Sequence, residues 1–206
     1  DVYKRQIPTQ VPEQGVEGSA EVRANSVARE KTGAFEVTGG SGNFAIHAEG
    51  VKRDAGEYRV GKGWEGGKRV PGSFKDGESG TVGLSWVGER GYLGAAYTRE
   101  RTEYGIPGHG HEFESCHPHG DHLHCGGHEG HDDHADHDHG HGHDHEEAPV
   151  VKLDSDRWDL RGEVRNPLPG FAKLRLRASL TDYRHDELEA GVIAVSYTHL
   201  TLPTIC

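Results

Sequence analysis

The stretch FAKLRLRASL, from Phe171 to Leu180, decides the fold prediction for this chain. Apolar and polar residues alternate along it, with Leu174, Leu176, Ala178 and Leu180 set against Lys173, Arg175, Arg177 and Ser179. A period of two residues predicts a β-strand with one apolar and one polar face. Burying three cationic side chains in a dry core would be costly, whereas a water-filled interior accepts them. We therefore expect this strand to have a wet polar face.

The same alternation recurs in six further segments and predicts a strand in each of them. Their apolar members are Ala20, Val22 and Ala24; Phe35 and Val37; Phe44, Ile46 and Ala48; Val82, Leu84 and Trp86; Leu93, Ala95 and Tyr97; and Trp158, Leu160 and Val164. The sequence thus predicts about seven strands. Segments of about ten residues match the length of a tilted strand that spans a bilayer.

The connections between these strands alternate in length. Short turns are predicted at 39–42, 88–91 and 166–170, and long connections at 54–77 and 102–156. Short turns at one end and long loops at the other are typical of outer-membrane β-barrels, whereas a soluble sandwich does not need this pattern. The predicted fold class is all-β, an antiparallel transmembrane β-barrel fragment. We expect even-numbered apolar residues from Ala20 to Leu180 to face lipid and odd-numbered polar residues to line the lumen.

The segment from His109 to Glu147 holds fourteen of the chain's seventeen histidines, eleven Asp and Glu residues, and no Lys or Arg. It has no apolar periodicity, so we expect a long, disordered, His-rich loop. Neutral imidazole suits Zn²⁺, Cu²⁺, Ni²⁺ and Co²⁺, and carboxylates add oxygen ligands. Its candidate metal ligands are His109, His111, Glu112, His117, His119, His122, His124, His128, His131, His134, His137, His139, His141, His143 and His145. Many interchangeable pairs predict weak, exchangeable capture of several ions.

Composition excludes several functional classes. The chain has 206 residues, a net charge of −11 and 32% hydrophobic residues. This acidic balance argues against a nucleic-acid partner, which would select a basic face. GxSxG, HExxH and phosphate-loop motifs do not occur, and a flexible ligand-rich loop lacks the fixed open geometry of a catalytic metal site. We therefore expect that the protein is not an enzyme.

Three stretches carry a resemblance to a known family. Gly83 to Glu114, with its YGIPGH run, resembles the early barrel of TonB-dependent outer-membrane receptors, and Ile7 to Arg23 resembles their passage from plug to first barrel strand. Leu168 to Glu189, with its YRHDE run, resembles a later hairpin of the same family. The His-rich loop is most similar to the zinc-uptake branch. The resemblance implies a bacterial outer-membrane protein with an extracellular loop, in contact with lipid and energised by TonB through a plug.

The resemblance also implies a division of the chain. DVYKRQ at residues 1–6 and VSYTHLTLPTIC at residues 195–206 resemble adapter-derived sequence, and we expect both to be non-native ends outside the fold. An internal fragment would also explain why no signal peptide is visible. Between them we expect a connector from a missing plug at 7–17, strands one to five at 18–101, the His-rich loop at 102–156, and strands six and seven at 157–194.

Smaller groups of residues add detail to this interpretation. Cys116 and Cys125 are expected to form a disulfide in an oxidising compartment, with a thiolate zinc site that uses neighbouring histidines as the alternative. His109, His111, Glu112, His185 and Glu187 lie where strands end, so we expect them to form an ordered site at the rim. His47 is interpreted as a polar lining residue.

Three functions remain open at this point. The first is import of zinc or a similar transition metal, and the second is uptake of a metal chelate, siderophore or haem. The third is metal sequestration at the cell surface without transport.

Overall fold

The computed structural model describes residues 6–61, 68–107, 116–119, 122–125, 148–189 and 191–201. All regular structure in these ranges is β-strand. No helix in them is long and apolar enough to cross a membrane. The strands, in chain order, are β1 (Val16–Asn25), β2 (Glu30–Ser41), β3 (Phe44–Ala55), β4 (Lys75–Gly88), β5 (Gly91–Gly105), β6 (Cys116–His119), β7 (His122–Cys125), β8 (Val150–Leu168), β9 (Phe171–Glu189) and β10 (Val192–Thr201).

Eight of these strands form one antiparallel sheet in the order β1-β2-β3-β4-β5-β8-β9-β10. The other two, β6 and β7, pair only with each other and lie between β5 and β8 in the chain. The prediction of an all-β antiparallel fold is confirmed. The sheet is not closed, because β1 and β10 are its edges and do not pair with each other.

Two sequence predictions about the strands need correction. The sheet has eight strands rather than seven, because β10 pairs with β9 from Val192↔Glu189 to Thr201↔Thr181. The expectation that residues 195–206 lie outside the fold is therefore wrong for 195–201, which are rich in the β-branched and aromatic residues that strands favour. The strands are also longer than about ten residues, since β8 and β9 each have 19.

The connections sort by length only in part, because two short connections that the sequence did not predict, 26–29 and 190–191, lie at the same end of the sheet as the long ones. The turns Gly42–Asn43, Glu89–Arg90 and Pro169–Gly170 all lie at one end of the sheet, the turn end. Gly42 and Gly170 have φ angles of +59° and +89°, which a residue without a Cβ adopts at little cost. The long connections at 56–74 and 106–149 both lie at the opposite end, the loop end.

Cross-strand register places the apolar side chains of seven strands on one face, the apolar face. One row across the sheet reads Ile46, Leu84, Ala95, Leu160 and Ala178, and the next reads Val37, Ala48, Val82, Tyr97, Trp158 and Leu180. The expectation that these residues are even-numbered throughout is wrong, because those of β2 and β5 are odd-numbered. The number of residues in each turn decides whether the next strand places its even- or its odd-numbered residues on the apolar face. All of these apolar residues nevertheless lie on the same face of the sheet. Nothing among the described residues packs over this face: Trp86 is 50% exposed and Leu174 is 61% exposed.

The opposite, polar face is partly covered by the chain itself. Buried positions here include Ala45, His47, Ser85, Ala96 and Asp159. The segment Gln6–Pro8 lies against this face and is buried. Its close approach depends on small residues: a Cβ on Gly83 would collide with the carbonyl oxygen of Gln6, and one on Gly94 would lie 2.5 Å from Ile7 Cγ2.

We expect Gly83→Ala to release Gln6–Pro8 from the polar face while leaving the sheet paired. Ile7 is 2% exposed, and losing the burial of its side chain should cost about 2 kcal/mol of local stability. Amide exchange at residues 9–11, followed by mass spectrometry, should accelerate about 30-fold.

The matched control is Gly33→Ala, because a Cβ on Gly33 meets no atom within 4 Å. It should leave exchange in residues 9–11 unchanged. Equal exchange in the two variants would mean that Gly83 does not permit this contact.

Candidate functional site

The His-rich segment is anchored at the loop end by backbone hydrogen bonds. Ile106 N donates to Pro149 O at 2.9 Å, and Gly105 N donates to Phe74 O at 3.2 Å. The first bond holds the two ends of the segment side by side, at the base where β5 ends and β8 begins, and the second ties this base to the residue before β4. The long connection before β4 also packs here, because a Cβ on Gly105 would collide with the carbonyl oxygen of Gly72.

The candidate ligands fall into three groups in the structure. His185 and Glu187 are described with their side chains, on β9. For Cys116, His117, His119, His122, His124 and Cys125 the structure gives the backbone of β6 and β7. The remaining candidates lie outside the described residues: His109, His111, Glu112, His128, His131, His134, His137, His139, His141, His143 and His145.

His185 and Glu187 share the polar face near the base of the His-rich segment. His185 lies opposite Leu153 and Tyr197, and Glu187 lies opposite Val151 and Val195. The Tyr183 hydroxyl is 3.2 Å from His185 Nδ1, and the two rings meet edge to face with centroids 6.3 Å apart. This contact orients the imidazole. Residues two apart on a strand have Cα atoms about 7 Å apart, so both donors can reach one ion.

Asp186 does not join them. It lies on the other face of β9, where the Ser196 hydroxyl donates to Oδ1 at 2.6 Å and Arg184 Nη2 lies 2.8 Å from Oδ2. The Ser196 hydrogen bond, then the Arg184 guanidinium, lower the pKa of Asp186 from its usual value. Its carboxylate is therefore ionised and already partnered, and the rim donors on the polar face reduce to His185 and Glu187.

A rim pair alone does not complete a metal site. Across the part of the chain that the structure describes, no group of three or more His, Cys, Asp or Glu could hold a metal ion. Zinc sites in proteins use three or four protein ligands. The ordered rim site therefore needs His109, His111 and Glu112, and their participation stays a prediction.

The register of the hairpin β6–β7 places the two cysteines of the segment directly opposite each other. Cys116 lies opposite Cys125, and Pro118 lies opposite Leu123. Opposed residues in an antiparallel pair have Cα atoms about 4.5 or 5.5 Å apart, and both distances suit a disulfide. Because faces alternate along a strand, the cysteines occupy the face opposite to that of His117 and His124. This arrangement favours a disulfide over a mixed thiolate–imidazole site.

This hairpin was not predicted, although the sequence carries its signal. CHPHGDHLHC, from Cys116 to Cys125, alternates with period two on both sides of Gly120-Asp121. A Gly-X pair between alternating segments is a residue combination that two-residue β-turns use. The overall composition of the segment favoured disorder, and that interpretation is wrong for the eight residues of β6 and β7.

His47 is a second histidine on the polar face. It is 3% exposed, its Nδ1 lies 2.8 Å from the Thr38 hydroxyl, and its Nε2 lies 3.6 Å from Glu49 Oε2. Gln6 Nε2 donates to the other oxygen of Glu49 at 3.4 Å, which places this group under the N-terminal segment. His47 is thus a buried residue of the polar face, and its role as a lining residue of a lumen stays a prediction.

No known protein-family model matches the chain. The assignment to TonB-dependent receptors therefore remains a hypothesis that rests on the residues quoted above and on the geometry of the sheet.

We predict that Cys116 and Cys125 form a disulfide in oxidised protein. Closing a loop of this length should stabilise the hairpin by about 2–3 kcal/mol. In a Cys206→Ser variant, which removes the third cysteine, a thiol-specific alkylating reagent should label neither remaining cysteine before reduction and both after it. Labelling of both in native, unreduced, metal-free protein would refute the disulfide. Cys116→Ser serves as the control, because it should leave Cys125 labelled without reduction.

Proposed function

We propose that the chain forms part of a TonB-dependent outer-membrane receptor that captures and imports zinc, or a similar transition metal, through its His-rich segment. One observation carries the proposal. The sheet exposes its apolar face, partly covers its polar face, and anchors a ligand-rich segment at the end opposite the turns Gly42–Asn43, Glu89–Arg90 and Pro169–Gly170.

The exposed apolar face is too large for an ordinary soluble monomer. Phe35, Phe44, Trp86 and Trp158 are 54%, 60%, 50% and 56% exposed. At about 150–250 Å² per aromatic side chain, these four alone expose roughly 400 Å². The largest apolar patch of a typical soluble monomer covers about 300–600 Å² in total, and this face adds Ile46, Leu84, Leu160, Leu174 and other aliphatic residues. Lipid is the solvent that suits such a face.

The extent of the apolar face fits the thickness of a bilayer. On β9 the side chains of the apolar face run from Ala172 to Leu180, about 27 Å along the strand. A strand tilted by about 40° would convert this length to about 21 Å, near the band of about 25 Å on outer-membrane barrels. On β5 and β8, Tyr97 and Trp158, with ring centroids 4.8 Å apart, form the last apolar row before the loop end.

Beyond that row, the same face becomes charged. Arg99 lies 3.8 Å from Asp156, Arg101 lies 3.2 Å from Asp154, and Lys152 lies 3.6 Å from Glu103. Exposed ion pairs of this kind add little stability, but they belong in water rather than in hydrocarbon. The loop end of the sheet would therefore stand in the aqueous phase outside the cell, with the His-rich segment at its top.

Membrane embedding requires more strands than the chain has. Edge strands β1 and β10 leave backbone groups unpaired, and hydrocarbon does not tolerate them. In the receptor family the remaining strands and a plug complete the barrel, and TonB supplies energy through the plug. The chain would contribute an early part of that barrel.

Zinc would be handled in two steps. The segment from His109 to His145 would bind ions in fast exchange and raise their concentration above the lumen, because neutral imidazoles are good ligands for them. Fewer, better-ordered ligands at the rim, His185 and Glu187 together with His109, His111 and Glu112, would then receive the ion. Uptake of a metal chelate, siderophore or haem, and surface sequestration without transport, are the competing functions that the experiments below separate.

Placing Lys at the middle of the apolar face should destabilise the protein only if that face contacts lipid. In the full-length protein in lipid vesicles, Leu160→Lys should lower the free energy of unfolding by about 2–4 kcal/mol. The matched control is Leu174→Lys on the same face toward the turn end, where a smaller loss, about 0–1 kcal/mol near the interface, is expected. If both changes stay within about 0.5 kcal/mol, the face is a water-exposed surface and the membrane proposal fails.

The capture step is tested by zinc uptake in cells that carry the full-length receptor. Deleting residues 116–145 should slow uptake when zinc is scarce and have little effect when it is abundant, because the segment only concentrates ions. His185→Ala with Glu187→Gln should slow uptake at both concentrations. Lys152→Gln, a nearby change on the opposite face, is the control and should have no effect.

Two outcomes would replace the zinc assignment. If deletion leaves uptake at limiting zinc unchanged but abolishes uptake of haem or a siderophore, the receptor takes a chelate. If zinc is bound by cells but never enters them with either the intact or the deleted protein, the segment sequesters metal at the surface.

A further inference from the structure

The hairpin β6–β7 fixes the relative backbone positions of four histidines. Composition alone does not distinguish these four from the other histidines of the segment. Antiparallel pairing sets His117 opposite His124 and His119 opposite His122. Cys116, Pro118, Leu123 and Cys125 occupy the alternating positions. Because successive residues of a strand belong to opposite faces, the four histidine positions share one face of the hairpin, and the two cysteine positions share the other.

We propose that His117, His119, His122 and His124 form one preorganised binding site for a single divalent transition-metal ion. Its role in uptake rests on the function proposed above, but its existence does not, since binding needs neither a barrel nor TonB. The site lies within the hairpin, whereas the sequence analysis expected an ordered metal site only at the rim.

The spacing of the four positions suits one ion. Opposed residues have Cβ atoms about 4.5–5.5 Å apart, and the two pairs are two residues, or about 7 Å, apart along the strands. These positions outline a rectangle small enough to serve one ion, since zinc-bound histidines hold the metal about 2.0–2.1 Å from the ring nitrogen. Four nitrogen donors suit Zn²⁺ as well as Cu²⁺ and Ni²⁺, and they do not suit Ca²⁺ or Mg²⁺.

Preorganisation distinguishes this site from other histidine pairs in the segment. An ion that binds an unpaired chain has to order that chain, and the entropy of ordering lowers its affinity. In β6–β7 the backbone pairing already fixes the relative positions of the donors. An isolated two-stranded hairpin is marginally stable in water, so the affinity should depend on what holds the register.

The Cys116–Cys125 disulfide would hold that register from the face opposite the ligands. It forms when the two thiols transfer two electrons and two protons to a disulfide oxidant, which leaves as two thiols. The cysteines are not ligands in this scheme. Reduction should therefore weaken metal binding, whereas a thiolate–imidazole site would bind more tightly once reduced.

The test is a Zn²⁺ titration of the purified 206-residue chain against a chromophoric chelator, which reports only ions held more tightly than the exchangeable pool. Oxidised protein should show one tight equivalent. His119→Gln with His122→Gln removes one cross-strand pair and should weaken that equivalent at least 30-fold. The matched control, His141→Gln with His143→Gln, removes the same number of imidazoles elsewhere in the segment and should leave it unchanged.

A second arm keeps all four histidines. Cys116→Ser with Cys125→Ser should weaken the tight equivalent about tenfold, to the value seen for wild-type protein in a thiol reductant. Near-ultraviolet circular dichroism of the tryptophans on β4 and β8 should be the same in all variants, which shows that the sheet is intact.

Several results would overturn the proposal. If both histidine variants lost the same affinity for the tight equivalent, the imidazoles would be interchangeable. If two ions instead of one bound tightly, each cross-strand pair would hold its own ion. Tighter binding after reduction would make the cysteines ligands. A tight equivalent in vitro with no effect of the hairpin on uptake would instead contradict the proposed function and leave this site standing.

Discussion

The fold depends on one constraint, which is that the apolar side chains of seven strands occupy the same face of one sheet. Backbone pairing fixes that arrangement, because each cross-strand row joins apolar residues such as Ile46, Leu84 and Leu160. A soluble protein would cover such a face with a second layer. Here the described chain instead covers the polar face, with Gln6–Pro8 against Gly83 and Gly94. The sheet thus has one uncovered apolar face and one partly covered polar face among the described residues.

The same register explains where the chemistry lies. Strands β5, β8 and β9 continue beyond the Tyr97–Trp158 row, and their outer face there carries ion pairs instead of apolar side chains. This extension carries the base of the His-rich segment, at Ile106 and Pro149, about 30 Å beyond the apolar rows. His185 and Glu187 lie beside this base on the polar face.

Sequence reasoning predicted the features that local alternation determines. The two faces and the turns near Gly42 and Gly170 followed from period-two patterns and turn residues. Register did not follow, because it depends on pairs distant in the chain; that His185 lies between Leu153 and Tyr197 is an example. Strand β10 was missed because its resemblance to adapter sequence outweighed its own β-branched pattern. Hairpin β6–β7 was missed because the composition of the whole segment hid a short alternation around Gly120-Asp121.

Metal capture makes two demands that one kind of ligand cannot meet. A high on-rate at low concentration needs many exposed donors, whereas retention needs a few donors held in fixed positions. Under the proposed function, the segment between β5 and β8 would combine both in one stretch, since the sequence from His137 to His145 alternates with Asp and Gly while the backbone of His117 to His119 is paired with that of His122 to His124. The cysteines that frame the paired part lie on its other face. The compartment's redox state would then control how firmly an ion is held without altering the ligands themselves.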